Sequence, residues 1–162
     1  ELIAGVLYMS PPPKFPHHFA VANLLDLLTK YRIQARDRGM VLVPRAALWT
    51  GTHTYVEPDL FYLTAKTLKQ IDWTKPDYAD LVVEVTSPGS VIYDCNTKAD
   101  TYAALGVPEL WLIDPELKIV EVRHLNRETN RYDAGEVFQR AAPVRSRILP
   151  KFAPKANEIF KR

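Results

Sequence analysis

Two acids stand where aliphatic residues would pack more comfortably. Asp59 follows Pro58 in VEPDLFYL, residues 56–63, and Glu84 interrupts the apolar run ADLVVEVTS, residues 79–87. Taking an ionised carboxylate out of water is costly unless it is paired or binds a cation, so two such acids ask for a partner. They lie 25 residues apart, the length of a strand, a short helix and a return. On neighbouring strands they would converge at one end of a sheet and hold a hard divalent ion such as Mg2+, which prefers oxygen ligands and keeps several waters. An ion so placed polarises a phosphoryl oxygen and acidifies a bound water, which is the chemistry of phosphodiester hydrolysis. For Glu84, set among four aliphatic residues, a purely structural explanation is weakest. Asp59 alone reads equally well as a cap or turn acid after Pro58.

That chemistry also needs a positive group near the attacking water and the developing charge. Period two along the strand puts Thr86 on the face of Glu84, but a threonine supplies no charge. The candidate is Lys98, near the start of the next helix, with Asp94 one turn earlier on the same face. An ordinary Asp94–Lys98 helix pair, worth about 0.2–0.5 kcal/mol, explains the same spacing, and spacing alone leaves both readings open.

The elements that must position these groups follow from periodicity and punctuation. A short strand is expected at 6–9. The segment 15–39 has Phe19, Leu24, Leu27, Leu28 and Tyr31 at helical spacing, with Pro16 suited to its start and Gly39 to its end. Strands are expected at 40–43, 46–49 and 56–63, then a short helix over TAKTLKQI capped by Thr64. Residues 79–87 read as a central strand covered on both faces, and 94–105 as a helix ended by Gly106. Strands ELWLIDP, KIVEVRHL and GEVFQR follow, divided by DPEL and NRETN turns. The order predicts a mixed α/β (α+β) fold: a mixed sheet flanked by helices, meander-like toward the C-terminus.

Composition bounds the alternatives. With 162 residues, 47% hydrophobic, the chain suits one globular domain over 1–162. The single cysteine, Cys95, permits no internal disulfide and fits a reducing, cytoplasmic location. No stretch of about 18 apolar residues exists to span a membrane. Glu1 in place of Met implies a trimmed N-terminus. A net charge of +2 permits nucleic-acid binding without announcing it; the basic clusters at 30–38 and 145–162 each read singly as solvated surface. His53 and His124 have no partner at zinc spacing, and no glycine-rich phosphate loop is present. Trp111, Tyr102, Leu105 and Leu112 read as core or dimer-interface packing.

Taken together, VEPDL, DLVVEVTSPGS and YDCNTKADTYAALGVPELWLIDP resemble the Uma2 (DUF820) family of restriction-endonuclease-like proteins, a branch of the PD-(D/E)xK nuclease superfamily. The resemblance covers nearly the whole chain and implies a restriction-endonuclease-like core. It implies an active site of Asp59, Glu84 and a lysine moved from the strand to the following helix, Lys98, with Asp59 and Glu84 as ligands of Mg2+ or Mn2+. It further implies a supporting carboxylate at Glu1, a supporting His17 and an Asp94 that orients Lys98. The opening departs from the family, with Ala4 and Val6 where Asp and Glu are usual. The expected function is Mg2+-dependent hydrolysis of DNA by a homodimer. The competing expectations are a catalytically silent nuclease-fold module that binds nucleic acid or protein, and a metal-dependent phosphohydrolase of smaller nucleotides.

Overall fold

The structure, a computed structural model, describes residues 1–9, 12–49, 51, 53–86 and 93–161, the side chains of 93–95 excepted. Strands β1 (Leu2–Ile3) and β2 (Val6–Leu7) form a hairpin, followed by helix α1 (Phe15–Ala35). Strands β3 (Met40–Leu42), β4 (Leu48–Trp49), β5 (Tyr55–Val56), β6 (Leu60–Leu63) and β7 (Leu81–Val85) precede a π-helical turn, Tyr93–Lys98, that runs into helix α2 (Ala99–Ala104). The chain finishes through β8 (Glu109–Asp114), β9 (Ile119–Asn126), β10 (Arg131–Tyr132) and β11 (Glu136–Gln139). A mixed sheet runs β10-β9-β8-β7-β6-β3, with β11 also on β9; a smaller sheet runs β2-β1-β5-β4. Only β7 and β8 of the larger sheet pair in parallel, the connection passing through α2, as a parallel pair requires.

All five residues of β7 are buried, because both of its faces are covered. Val83 and Val85 join the cluster with Leu24, Leu28 and Tyr31 of α1, whereas Val82 joins the cluster with Ala99 and Tyr102 of α2. A continuous apolar run is the pattern such a strand demands. By alternation Glu84 faces α2, the first condition for meeting a helix-borne lysine.

Four sequence expectations are corrected. Helix α1 ends at Ala35, four residues before Gly39, capped by Arg36 in the left-handed region at φ 53° and by the Asp37 N–H returning to the Arg32 carbonyl at 2.9 Å. Gly39 serves a different need: a Cβ there would meet the Tyr62 hydroxyl at 1.9 Å, and that hydroxyl donates to Asp37 at 2.6 Å. The buried stripe of α1 contains Ala20 rather than Phe19; Phe19 is 39% exposed and stacks on Phe15.

The third correction bears on the site. Residues 56–63 are not one strand: β5 belongs to the small sheet and β6 to the large one, and Glu57, Pro58 and Asp59 make the corner between them. Pro58 has no N–H to give a ladder, so pairing stops there and the chain changes sheets. Asp59 is therefore a corner residue, not an acid within a strand. Strand β10 was not anticipated, and the expected helix over 64–71 is a single 3-10 turn, Thr67–Lys69, with Thr64 Oγ1 accepting the Thr67 N–H at 3.3 Å.

Candidate active site

Strands β6 and β7 are antiparallel neighbours with Leu60 opposite Val83. One step beyond that pair, Asp59 comes abreast of Glu84. The Val85 N–H donates to Asp59 Oδ2 at 2.8 Å, which fixes the corner against the end of β7. The other oxygen, Oδ1, faces His17 Nε2 at 3.0 Å. A carboxylate accepts only, so the histidine proton belongs on Nε2. His17 Nδ1 is buried and has no partner among the described residues.

Glu84 is met from α2. The Lys98 ammonium lies 2.6 Å from Glu84 Oε1, and the two side chains are 5% and 4% exposed. One turn further on, the Tyr102 hydroxyl donates to the same oxygen. Burial first, and the Glu84 charge second, push that hydroxyl well above the usual phenol range, so it remains a donor at neutral pH. Lys98 also lies 3.0 Å from Glu1 Oε1, and Glu1 is aimed by its own contacts. Its main chain pairs with that of Tyr8 at 3.0 and 2.8 Å, and its Oε1 accepts the Glu57 N–H at 2.8 Å.

The hairpin that presents Glu1 turns through Ala4 and Gly5 at φ 49° and 80°. Two consecutive positive φ values define the tight turn that matches strand twist, and Gly5 adopts its angle at no steric cost. Ala4 does not, and its N–H is held at 3.0 Å by Thr54 Oγ1, which helps fix the turn.

Of the residues singled out in the sequence, Glu84, Lys98 and Glu1 come into direct contact, with Asp59 and His17 beside them at the same end of β7. The backbone of Asp94 is in the π-helical turn; its side chain lies outside the described residues. Thr86 is tied to β8, its hydroxyl and N–H both on the Ile113 carbonyl at 3.2 and 2.8 Å. Tyr102, which sequence reasoning assigned to packing, also meets Glu84. Its signal was its position, four residues after Lys98 and hence on the same helix face.

Two carboxylates, Glu84 and Glu1, flank the Lys98 ammonium, and together with Asp59 they raise the proton affinity of Tyr102. Among the described residues no group of three or more His, Cys, Asp or Glu is placed to hold one metal ion. Mg2+ does not need such a cage, since it binds through one or two carboxylates and completes its shell with water and substrate phosphate. A hard-oxygen donor set with carboxylates in excess of the ammonium fits that ion.

No curated protein matches the chain. Among solved structures it is similar to one described as "a putative nuclease belonging to DUF820" from Anabaena variabilis, with a TM-score of 0.78 and 16% identity over 98% of this chain and 88% of that one. It also matches the type IIG restriction endonuclease BpuSI, with a TM-score of 0.45 and 15% identity over 76% of this chain and 14% of that one. The former likeness establishes a shared fold, with mixed sheet and helices. The family model described as "Uma2: Putative restriction endonuclease" matches residues 1–156, and the chain belongs to the Uma2 family.

Proposed function

We propose that this protein is a Mg2+-dependent endonuclease that hydrolyses DNA phosphodiester bonds. The observation that carries the reading is the buried Lys98–Glu84 pair at 2.6 Å, set abreast of Asp59 at the junction of β6 and β7. Asp59 and Glu84 would hold the ion, Mg2+ or Mn2+. When bound there, the ion polarises a phosphoryl oxygen and lowers the pKa of a water. Lys98 places a positive charge beside the attacking water and the negative charge that builds on phosphorus oxygens in the transition state. Glu1 shares the Lys98 ammonium and holds it against withdrawal toward Glu84 alone. His17 keeps the Asp59 carboxylate in one orientation through Nε2. The working form is a homodimer in the cytoplasm, and light scattering at micromolar concentration checks its mass.

One observation favours a second reading, a catalytically silent nuclease-fold module that binds nucleic acid or protein. Both Asp59 oxygens and Glu84 Oε1 already have protein donors. Metal titration separates the two. Calorimetry with Mn2+ should show binding that disappears in Asp59→Asn and Glu84→Gln, and supercoiled plasmid should be nicked with Mg2+ but not with chelator. Heat changes that are the same in wild type and both variants would give the module reading the better claim.

A further inference from the structure

We propose that Tyr102 is a positioning residue for this reaction, its hydroxyl setting the orientation of the Glu84 carboxylate and sharing the oxygen that holds Lys98. The inference rests on the nuclease reading and adds to it a residue that is neither metal ligand nor charged. Tyr102 is fully buried, and its hydroxyl and the Lys98 ammonium converge on one oxygen, Glu84 Oε1. Two donors one helical turn apart fix where that oxygen lies and therefore the plane of the carboxylate. A rotation of Glu84 about its last bond would have to break both contacts together.

The neutral donor also alters what the lysine can do. Without the phenol, Glu84 Oε1 would lean harder on the Lys98 ammonium, drawing it toward Glu84 and away from Glu1. With it, Glu84 is stabilised by a group that adds no charge, and Lys98 stays in contact with both Glu84 and Glu1, at 2.6 and 3.0 Å. A hydroxyl suits this task because a second cation would cancel the negative charge that a divalent ion needs. Partners that hold a ligating carboxylate from behind commonly matter 10–100-fold in metal affinity or activity.

The test compares Tyr102→Phe with Tyr132→Phe. Tyr132 supplies the control: its hydroxyl also makes a partly buried bond, to the Val107 carbonyl at 2.8 Å, rather than to a site carboxylate. Both variants keep the ring, and circular dichroism with a thermal midpoint checks the fold. Tyr102→Phe should lower kcat about 10–100-fold and weaken Mn2+ binding by calorimetry on a similar scale, with KM for DNA unchanged. Tyr132→Phe should lose comparable stability and retain wild-type kcat and Mn2+ affinity. If wild type cleaves and Tyr102→Phe cleaves equally well with equal Mn2+ affinity, the assignment is overturned and the nuclease reading stands. If wild type neither binds Mn2+ nor cleaves, the nuclease reading falls and takes this assignment with it.

Discussion

The same sheet buries a second carboxylate, and the contrast with Glu84 is instructive. Glu109 opens β8, opposite Leu81, while Glu84 lies opposite Leu112; the two acids thus sit toward opposite ends of one parallel pair. They also face opposite sides, Glu84 toward α2 and Glu109 toward Trp111, which packs with the α1 cluster. Glu109 receives the Trp111 indole N–H at 2.8 Å, the Ser146 hydroxyl at 2.6 Å and the Arg147 N–H at 2.7 Å. All three donors are neutral and directional, so this carboxylate fastens the segment after residue 143 to the sheet. Glu84 instead shares an ammonium with another acid. Neutral donors in sufficient number make a buried acid a structural fastener, whereas competition for one cation keeps it available to chemistry.

The largest effects should come from the charged cluster. Glu84→Gln should lower cleavage at least about 10²–10³-fold, the scale on which single groups that stabilise transition-state charge act, as read by plasmid nicking. Lys98→Met should do the same and also lower stability, since breaking a buried pair typically costs about 3–5 kcal/mol. The double variant Glu84→Gln/Lys98→Met should regain much of that stability and none of the activity. Denaturant midpoints that show no such recovery would mean the pair is not the unit we take it to be.

Glu109→Ala should invert the pattern. Three donors lose their acceptor, the Trp111 indole fully buried and the other two partly buried; a buried donor left unsatisfied costs about 1–3 kcal/mol, so a loss of about that size is expected with cleavage unchanged below the unfolding transition. A Glu109→Ala protein that folds normally but cannot cleave would erase the distinction between the two acids.

These two carboxylates were unequally legible in the sequence for physical reasons. Glu84 stands among aliphatic residues on both sides, and no local role could excuse it. Glu109 follows Pro108 at the start of its strand, where an acid reads as a turn residue; its partners Ser146 and Arg147 are more than 35 residues away and no periodicity announces them. Lys98 was found through helical spacing, and the same spacing extended by one turn reaches Tyr102. Its aromatic ring was read for packing alone, although a buried phenol must place its hydroxyl somewhere. Asp59 was singled out for its carboxylate but assigned to a strand interior, because the apolar residues on either side of Pro58 hid a change of sheet.

A smaller effect concerns His124, which lies 4.0 Å from Glu109. That separation is too long for a hydrogen bond, and burial, with Arg147 next, lowers the imidazole pKa from 6.5 despite the pull of Glu109, Asp133 and Glu136. The folded state therefore binds fewer protons here than the unfolded chain. The stability involved is present above about pH 6.5 and lost as pH falls below it. Comparing denaturation midpoints of wild type and His124→Asn from pH 7.5 to acid should show the wild type losing more. A steeper loss in the variant would mean that Glu109 does hold a charged imidazole after all.

The smallest effect isolates burial itself. Lys30 and Asp26 make an ion pair of 2.6 Å on α1, the same length as Lys98 with Glu84. Its side chains are 63% and 59% exposed, so water competes for both charges and salt screens them. Lys30→Ala should change stability by no more than about 0.5 kcal/mol, the worth of an exposed i,i+4 pair, and that change should shrink with added salt. Cleavage should be unaltered at fixed ionic strength. Should Lys30→Ala cost as much stability as Lys98→Met, pair length rather than exclusion of water would set the cost, and the contrast drawn between a dry charged cluster and the rest of the molecule would fail.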